Sequence, residues 1–237
     1  MRKTIFFDLD GTLLPMDQDV FTNEYFRLLI EALAPLGHSA ETLTAAVWKG
    51  TGAMVRNDGR RTNEAVFWDT YAAILGEEAR ADLPAFERFY ERDFIGAARN
   101  GCTPGPEAAA GVAELQRRGY RLVLATNPLF PMIAQTQRLE WAGLRPDNFV
   151  WITSYENSRF CKPNPDYYRE ILTRLSLRPE DCMMVGNDVG EDMIAETLGM
   201  RVFLMTRCLI NRDGRDISAY PQGGFPELLD HLDRTAF

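Results

Sequence analysis

The pattern of hydrophobic positions differs between two parts of this chain. Between residues 16 and 100, apolar side chains recur every three or four positions, which is the spacing of one buried face of an α-helix. The clearest runs are Phe21, Tyr25, Leu28, Leu29, Ala32 and Leu36; Phe67, Tyr71, Ile74 and Leu75; and Phe86, Phe89, Tyr90 and Phe94. This segment therefore predicts a bundle of about four helices, each buried along one face.

The pattern changes at Cys102, where a turn-forming Thr-Pro-Gly-Pro cluster follows. Beyond it, short continuous apolar runs alternate with amphipathic segments. Strands are predicted at 120–125, 149–152, 182–185 and 202–205, and helices at 107–118, 131–142, 165–175, 191–198 and 226–232. Together with an apolar run at 4–7, this alternation predicts a doubly wound, parallel α/β (Rossmann-like) domain. We expect residues 1–15 and 102–237 to form this core, with the helices of 16–101 inserted as a second domain.

The composition of the chain disfavours some classes of binding partner. The 237 residues carry a formal net charge of −8, which argues against nucleic acid or an anionic membrane surface as the main partner. The short apolar run near the N-terminus meets a charge at Asp8, so we expect no secretion signal. The four cysteines form no CxxC pair, which favours free thiols in a reducing cytoplasm over a zinc site.

Two aspartates follow the first apolar run. In an extended chain, alternate residues point the same way, so Asp8 and Asp10 share a face while Leu9 faces away. Two like charges held this close repel each other unless a cation lies between them or one is protonated. Gly11 then permits a tight turn. The motif is either a site or an ordinary strand end with an Asp-Gly turn.

Three further polar clusters follow predicted strands. They are Thr126 and Asn127 after the strand at 120–125, Lys162 in the loop after 149–152, and Asn187, Asp188, Glu191 and Asp192 after 182–185. Ligands of open α/β sheets bind beyond the carboxyl ends of the strands, so these clusters and the aspartate pair are expected to share one edge. Several carboxylates with other oxygen donors suit a hard cation, and we expect Mg²⁺.

With these motifs in this order, the chain resembles the haloacid dehalogenase-like hydrolase superfamily over nearly its whole length. Asp8 to Thr12 resembles the first motif of that family, Thr126 the second, Lys162 the third, and Asp188 with Asp192 the fourth. The helical insertion resembles the family's cap domain. The fourth motif usually begins Gly-Asp but here begins Gly186-Asn187-Asp188, so either Asn187 or Asp188 is the metal ligand; we favour Asp188 because Mg²⁺ gains more from a carboxylate.

The resemblance implies a two-step phosphatase reaction. Asp8 would attack phosphorus to form an aspartyl-phosphate, and Asp10 would protonate the leaving oxygen and later activate water. Thr126 and Asn127 would hold the phosphoryl oxygens, and Lys162 would stabilise their charge. The expected metal-binding residues are Asp8, Asp10, Asp188 and Asp192.

Substrate specificity is expected to reside in the helical insertion. Arg60, in the polar loop 57–63, is the candidate for reading a second anionic group, with an ordinary solvated arginine as the alternative. The expected substrate is a small phosphorylated metabolite, and the expected state is a monomer or homodimer. A phosphomutase and a non-catalytic binding protein on the same scaffold remain alternatives. A dehalogenase is disfavoured because it needs no acid at Asp10.

Overall fold

A six-stranded sheet with every neighbouring pair parallel organises the molecule, in the order β3-β2-β1-β4-β5-β6. The computed structural model describes residues 3–235 and 237. The strands are β1 (Thr4–Phe7), β2 (Arg121–Leu124), β3 (Trp151–Ile152), β4 (Cys182–Gly186), β5 (Arg201–Met205) and β6 (Gln222–Gly223). The predicted parallel α/β fold is confirmed.

Alternate residues of each strand enter two separate apolar layers. Ile5 and Phe7 of β1 pack in one layer, whereas Phe6 packs in the other. Strands buried on both faces in this way explain the continuous apolar runs in the sequence. The helices of the parallel domain are α6 (Pro106–Arg117), α7 (Met132–Trp141), α8 (Pro165–Arg174) and α9 (Phe225–Thr235).

The segment between β1 and β2 is helical. It contains α1 (Gln18–Leu33), α2 (Ala40–Val55), α3 (Asn63–Leu75), α4 (Leu83–Arg92) and the short α5 (Ala98–Gly101). Side chains of Asp17, Ser39 and Thr62 cap the first three helices by accepting backbone N–H hydrogen bonds. None of the helices in the described part of the chain has both the length and the apolar character that a membrane crossing requires.

Two sequence predictions differ in detail from the structure. The helix expected at 191–198 is a 3₁₀ helix at Met193–Leu198. It is confined between the turn that begins at Asp188 and Gly199, whose left-handed φ of 88° ends it, so few residues remain for a regular α-helix. The short edge strand β6 was not predicted because two residues carry no periodicity.

The two connections to the helical segment run side by side. Met16 and Cys102 form an antiparallel bridge. The Asp17 N–H donates to the Gly101 carbonyl at 2.8 Å, and the Thr103 N–H donates to the Pro15 carbonyl at 2.8 Å. These backbone hydrogen bonds join the start and the end of the helical segment.

Gly101→Ala is expected to destabilise the protein by about 1–3 kcal/mol. A Cβ at this position would lie 2.8 Å from the Phe21 backbone nitrogen and Cα, which cannot move aside as a flexible side chain does. Gly52→Ala in α2 is the control, because its added Cβ meets only the flexible end of Arg56 at 3.3 Å. Urea unfolding should show a loss for the first variant and none for the second; equal midpoints would contradict this packing argument.

Candidate active site

A cleft of about 200 Å³ opens at the carboxyl ends of β1, β2 and β4. It is lined by Asp8, Asp10, Gln18, Thr126, Asn127, Leu129, Asn187, Asp188, Glu191, Asp192, Ile210 and Arg212. The structure therefore brings together the polar clusters that follow these strands, at the edge where parallel α/β folds bind ligands.

Lys162 is not among the residues that line the cleft, but it joins two of the clusters. Its Nζ donates to Asp8 Oδ1 at 2.9 Å and to Asp192 Oδ1 at 2.6 Å. The lysine side chain is only 1% exposed. Burial alone would lower the pKa of Lys162, but the Asp192 and Asp8 carboxylates outweigh it and hold that pKa well above its ordinary value. A permanent positive charge is thus fixed against Asp8.

Thr12 ties Asp8 to the loop after β4. Its hydroxyl lies 3.3 Å from Asp8 Oδ2 and 2.9 Å from Asn187 Oδ1, and Asn187 Nδ2 donates to the Cys208 carbonyl at 2.6 Å. Gly11 makes this approach possible: its φ is 85°, and a Cβ there would lie 2.3 Å from the Asn187 amide nitrogen. The glycine of the first motif therefore serves both a turn and a close contact.

Asp188 is held differently from Asn187. Its Oδ1 accepts the backbone N–H groups of Gly190 and Glu191 at 2.8 and 3.0 Å, and its Oδ2 pairs with Arg212 at 3.1 Å. Its own N–H donates to Asp192 Oδ2 at 3.0 Å. The loop after β4 thus presents one amide oxygen near Asp8 and one carboxylate that also caps the following turn.

Asp10 forms an ion pair with Arg138, a residue that the sequence analysis missed. Burial raises the pKa of the Asp10 carboxyl above its ordinary value; Arg138 opposes this effect and the Asp8 charge adds to it. Asp10 Oδ1 is buried and has no hydrogen-bond partner among the described residues. Burial and the neighbouring Asp8 charge therefore favour the protonated form of Asp10 more than in an ordinary aspartate.

Arg138 lies on α7 with its side chain 1% exposed. It is also hydrogen-bonded to Gln135, and its guanidinium carbon lies 4.5 Å from the centre of the Phe130 ring. Gln135 and Arg138 share the buried face of α7 with Ala134 and Leu139. Two polar residues on an otherwise apolar helix face were the available sequence signal.

Asn127 connects the loop after β2 to the loop that contains Lys162. Its Oδ1 accepts the Lys162 backbone N–H at 3.2 Å, and its Nδ2 donates to Glu191 Oε2 at 3.1 Å. The Thr126 carbonyl accepts hydroxyls from Thr153 and Tyr167 at 2.7 and 2.8 Å. These contacts fix the backbone that carries both candidate phosphate-binding residues.

Two arginines outside the motifs differ in their relation to the cleft. Arg60 is absent from the cleft lining; its side chain is 86% exposed and pairs with Asp58, which is the solvated alternative. Arg212 lines the cleft through its pair with Asp188.

Arg212 lies in the loop between β5 and β6. Ile210 holds this loop against the loop after β4, because its N–H donates to the Asn187 carbonyl and its carbonyl accepts the Val189 N–H, both at 2.9 Å. Long-range pairing rather than a local sequence pattern therefore places Arg212 in the cleft.

The donor set of the cleft is made of oxygen atoms. Among the residues that the structure describes, no three His, Cys, Asp or Glu side chains form a ready-made metal cage. Asp8, the Asn187 amide oxygen and Asp188 nevertheless line one cleft, and the buried Asp10 Oδ1 has no hydrogen-bond partner in the described part of the chain. Few protein ligands, all of them oxygen, fit Mg²⁺, which usually keeps several waters.

Comparison with known proteins gives the class. A family model described as haloacid dehalogenase-like hydrolase matches residues 2–195, and the chain belongs to this family. It is 25% identical over 221 residues to a phosphoglycolate phosphatase of Nitrosospira multiformis, covering 91% of this chain and 87% of that protein. It is 28% identical over 229 residues to a glyceraldehyde 3-phosphate phosphatase of Methanothermobacter thermautotrophicus, covering 92% and 95%.

The fold is shared more widely than the reaction. The crystal structure of a 2-haloacid dehalogenase from Pseudomonas syringae pv. tomato DC3000 superposes with a TM-score of 0.64 at 21% identity, covering 99% of this chain and 100% of that one. This likeness concerns the fold alone. Choosing the reaction of this chain therefore depends on the residues in the cleft.

Proposed function

We propose that this protein is a Mg²⁺-dependent phosphatase that hydrolyses a small phosphorylated metabolite. The observation that carries the proposal is the pairing of Asp8, held by buried Lys162, with a second carboxyl group, Asp10, two residues later. The names of the two relatives, phosphoglycolate phosphatase and glyceraldehyde 3-phosphate phosphatase, support the same reaction class.

Asp8 is the proposed nucleophile. Its two oxygens accept hydrogen bonds from Lys162 and Thr12, which orient the carboxylate at the end of β1. Attack on phosphorus would form an aspartyl-phosphate and break the bond from phosphorus to the substrate oxygen. Asp10 would give its proton to that leaving oxygen. In the second step Asp10 would take a proton from water, whose oxygen attacks phosphorus and releases inorganic phosphate with Asp8 restored.

Charge on the phosphoryl oxygens is the main barrier to attack by a carboxylate. Lys162 supplies the fixed cation, and the Thr126 hydroxyl and the Asn127 backbone are the proposed hydrogen-bond donors. Asp192 anchors Lys162. Its side chain is only 1% exposed, against 11% for Asp8 and 13% for Asp188, so we assign Asp192 to positioning this lysine rather than to binding the metal.

Mg²⁺, when bound, would offset the repulsion between the Asp8 carboxylate and the phosphate. We propose Asp8, the Asp10 carbonyl and the loop after β4 as its ligands. Asn187 and Asp188 are the two candidates in that loop, and Asn187 is the one tied to Asp8 through the Thr12 hydroxyl.

We propose that residues 16–101 act as the cap over the cleft, since Gln18 at the start of α1 lines it.

The cysteines bear on the cellular location of the protein. The four cysteines are free, and burial raises the pKa of the Cys102, Cys161 and Cys182 thiols to about 12, which keeps them unreactive. Free thiols support a location in the cytoplasm.

Release of phosphate from simple phosphomonoesters tests the function. The purified protein should release phosphate from 4-nitrophenyl phosphate and ethyl phosphate with Mg²⁺, and activity should vanish with a chelator and return on adding Mg²⁺. If phosphate release is unchanged in the presence of the chelator, the proposed dependence on Mg²⁺ is wrong. Absence of release from any phosphomonoester would overturn the function itself.

Asp10→Asn should distinguish substrates by their leaving groups. General acid catalysis is worth about 10²–10⁴-fold, so kcat/KM for ethyl phosphate should fall by that amount. The fall for 4-nitrophenyl phosphate should be much smaller, because nitrophenolate leaves without a proton. The asparagine keeps an oxygen for Arg138 and so limits structural effects. An equal fall for both esters would argue against Asp10 as the acid.

A further inference from the structure

An apolar cavity of about 170 Å³ lies beside the cleft. Ten of its fourteen lining residues are aromatic and none is charged. Its walls come from α1, α2, α3 and α4 and from the loops after β2 and β3, so it lies where the helical segment meets the parallel domain. Closely packed interiors leave few voids of this size, so this one invites a functional explanation.

The cavity and the cleft adjoin each other. Leu129 lines both of them. On α1, Gln18 lines the cleft, and Phe21 and Thr22, one helical turn further along, line the cavity. A phosphate held at Asp8 would therefore direct its organic group along this face of α1 and past Leu129.

The described residues that line the cavity offer no counter-charge to an anionic group. The Arg138 guanidinium lies over the Phe130 ring in the cavity wall, but it is buried and already paired with Asp10. On the other side is a hollow lined by four glutamates, Glu64, Glu87, Glu91 and Glu156, which shares three aromatic walls with the cavity. A carboxylate on the substrate would meet repulsion here rather than a salt bridge.

We propose that this cavity binds the leaving group of the substrate, and that the substrate is a phosphomonoester of an uncharged alcohol carrying one aromatic ring or an apolar group of similar size. The proposal rests on the phosphatase function proposed above. A cavity of about 150 Å³ lined by apolar side chains accommodates benzene, so the observed volume suits a single ring. Aromatic walls favour edge-to-face contact with such a ring.

Three esters separate the possible substrate classes. In the presence of Mg²⁺, kcat/KM for benzyl phosphate should exceed the values for ethyl phosphate and phosphoglycolate by about tenfold or more. Equal or higher values for either of the other two would overturn the proposal. If no ester is hydrolysed, the phosphatase function fails; the cavity is then judged by binding of benzyl alcohol, followed through tryptophan fluorescence from Trp48 and Trp68 in its walls.

Thr51→Phe places a ring inside the cavity from α2, and Val55→Phe adds the same ring one turn away at a position that is 41% exposed and outside the lining. Thr51→Phe should lower kcat/KM for benzyl phosphate by about tenfold and weaken benzyl alcohol binding, while ethyl phosphate stays within about twofold of wild type. Val55→Phe should change none of these. Equal losses on both esters, or none on either, would contradict a leaving-group site here.

Discussion

Asp8→Asn is expected to lower the rate of phosphate release by about four or more orders of magnitude, which is the scale seen when a catalytic nucleophile is removed. The amide keeps the size of the side chain and one acceptor oxygen for Lys162 or Thr12, so the fold is expected to persist. What it loses is the charged oxygen that attacks phosphorus. Phosphate release from 4-nitrophenyl phosphate under saturating Mg²⁺ measures the effect.

A matched control is Asp19→Asn, which removes one charge from an exposed position in the first turn of α1. This variant should keep its activity. Asp8→Asn should unfold at a temperature close to that of wild type. Activity retained within tenfold in a folded Asp8→Asn variant would exclude Asp8 as the nucleophile.

Lys162→Met should lower kcat by about 10²–10³-fold, the usual effect of losing one strong electrostatic donor. The lysine is the buried cation against Asp8, and no water can replace its charge inside the protein. KM should change less than kcat, because the charge on the phosphoryl oxygens is stabilised most in the transition state. Lys49→Met, at an exposed position on α2, is the control for loss of a positive charge.

The substitution also leaves Asp192 buried without its partner, which destabilises by itself. The double variant Lys162→Met with Asp192→Asn separates the two effects. Its thermal stability should recover towards wild type, because no unpaired buried carboxylate remains at position 192, while its kcat should stay low. Recovery of kcat together with stability would show that Lys162 serves only to hold the structure.

The sheet, and the edge of the sheet where the cleft lies, could be predicted from the sequence because both follow from short-range patterns. Continuous apolar runs gave β1, β2, β4 and β5 within one or two residues, since strands buried on both faces leave no alternation. The polar residues directly after those strands could be assigned to one edge because parallel strands present all their carboxyl ends together. Asp8, Thr126 and Asp188 accordingly line one cleft.

Features that depend on three-dimensional packing could not be predicted from the sequence in the same way. Arg138 reaches Asp10 across 128 positions of sequence, and Arg212 enters the cleft from a loop without periodicity. The aromatic residues of α1 and α3 were interpreted as core faces, and the sequence contains nothing that distinguishes a filled core from one that leaves a cavity between helices. Cavities are set by the packing angles of helices rather than by the hydrophobic pattern.

The proposed mechanism depends most on transfer of the phosphoryl group to Asp8, and a rapid-quench experiment with 4-nitrophenyl phosphate tests this step directly. The Asp10→Asn variant should accept the phosphoryl group, because this leaving group needs no acid, but should hydrolyse the intermediate slowly for lack of a base. Mass spectrometry of the acid-quenched protein should then find one phosphoryl group on the peptide that contains Asp8, formed together with a burst of nitrophenol. Nitrophenol and phosphate released together, with no covalent phosphoryl group on Asp8 in this variant or in the first turnover of wild type, would contradict the mechanism.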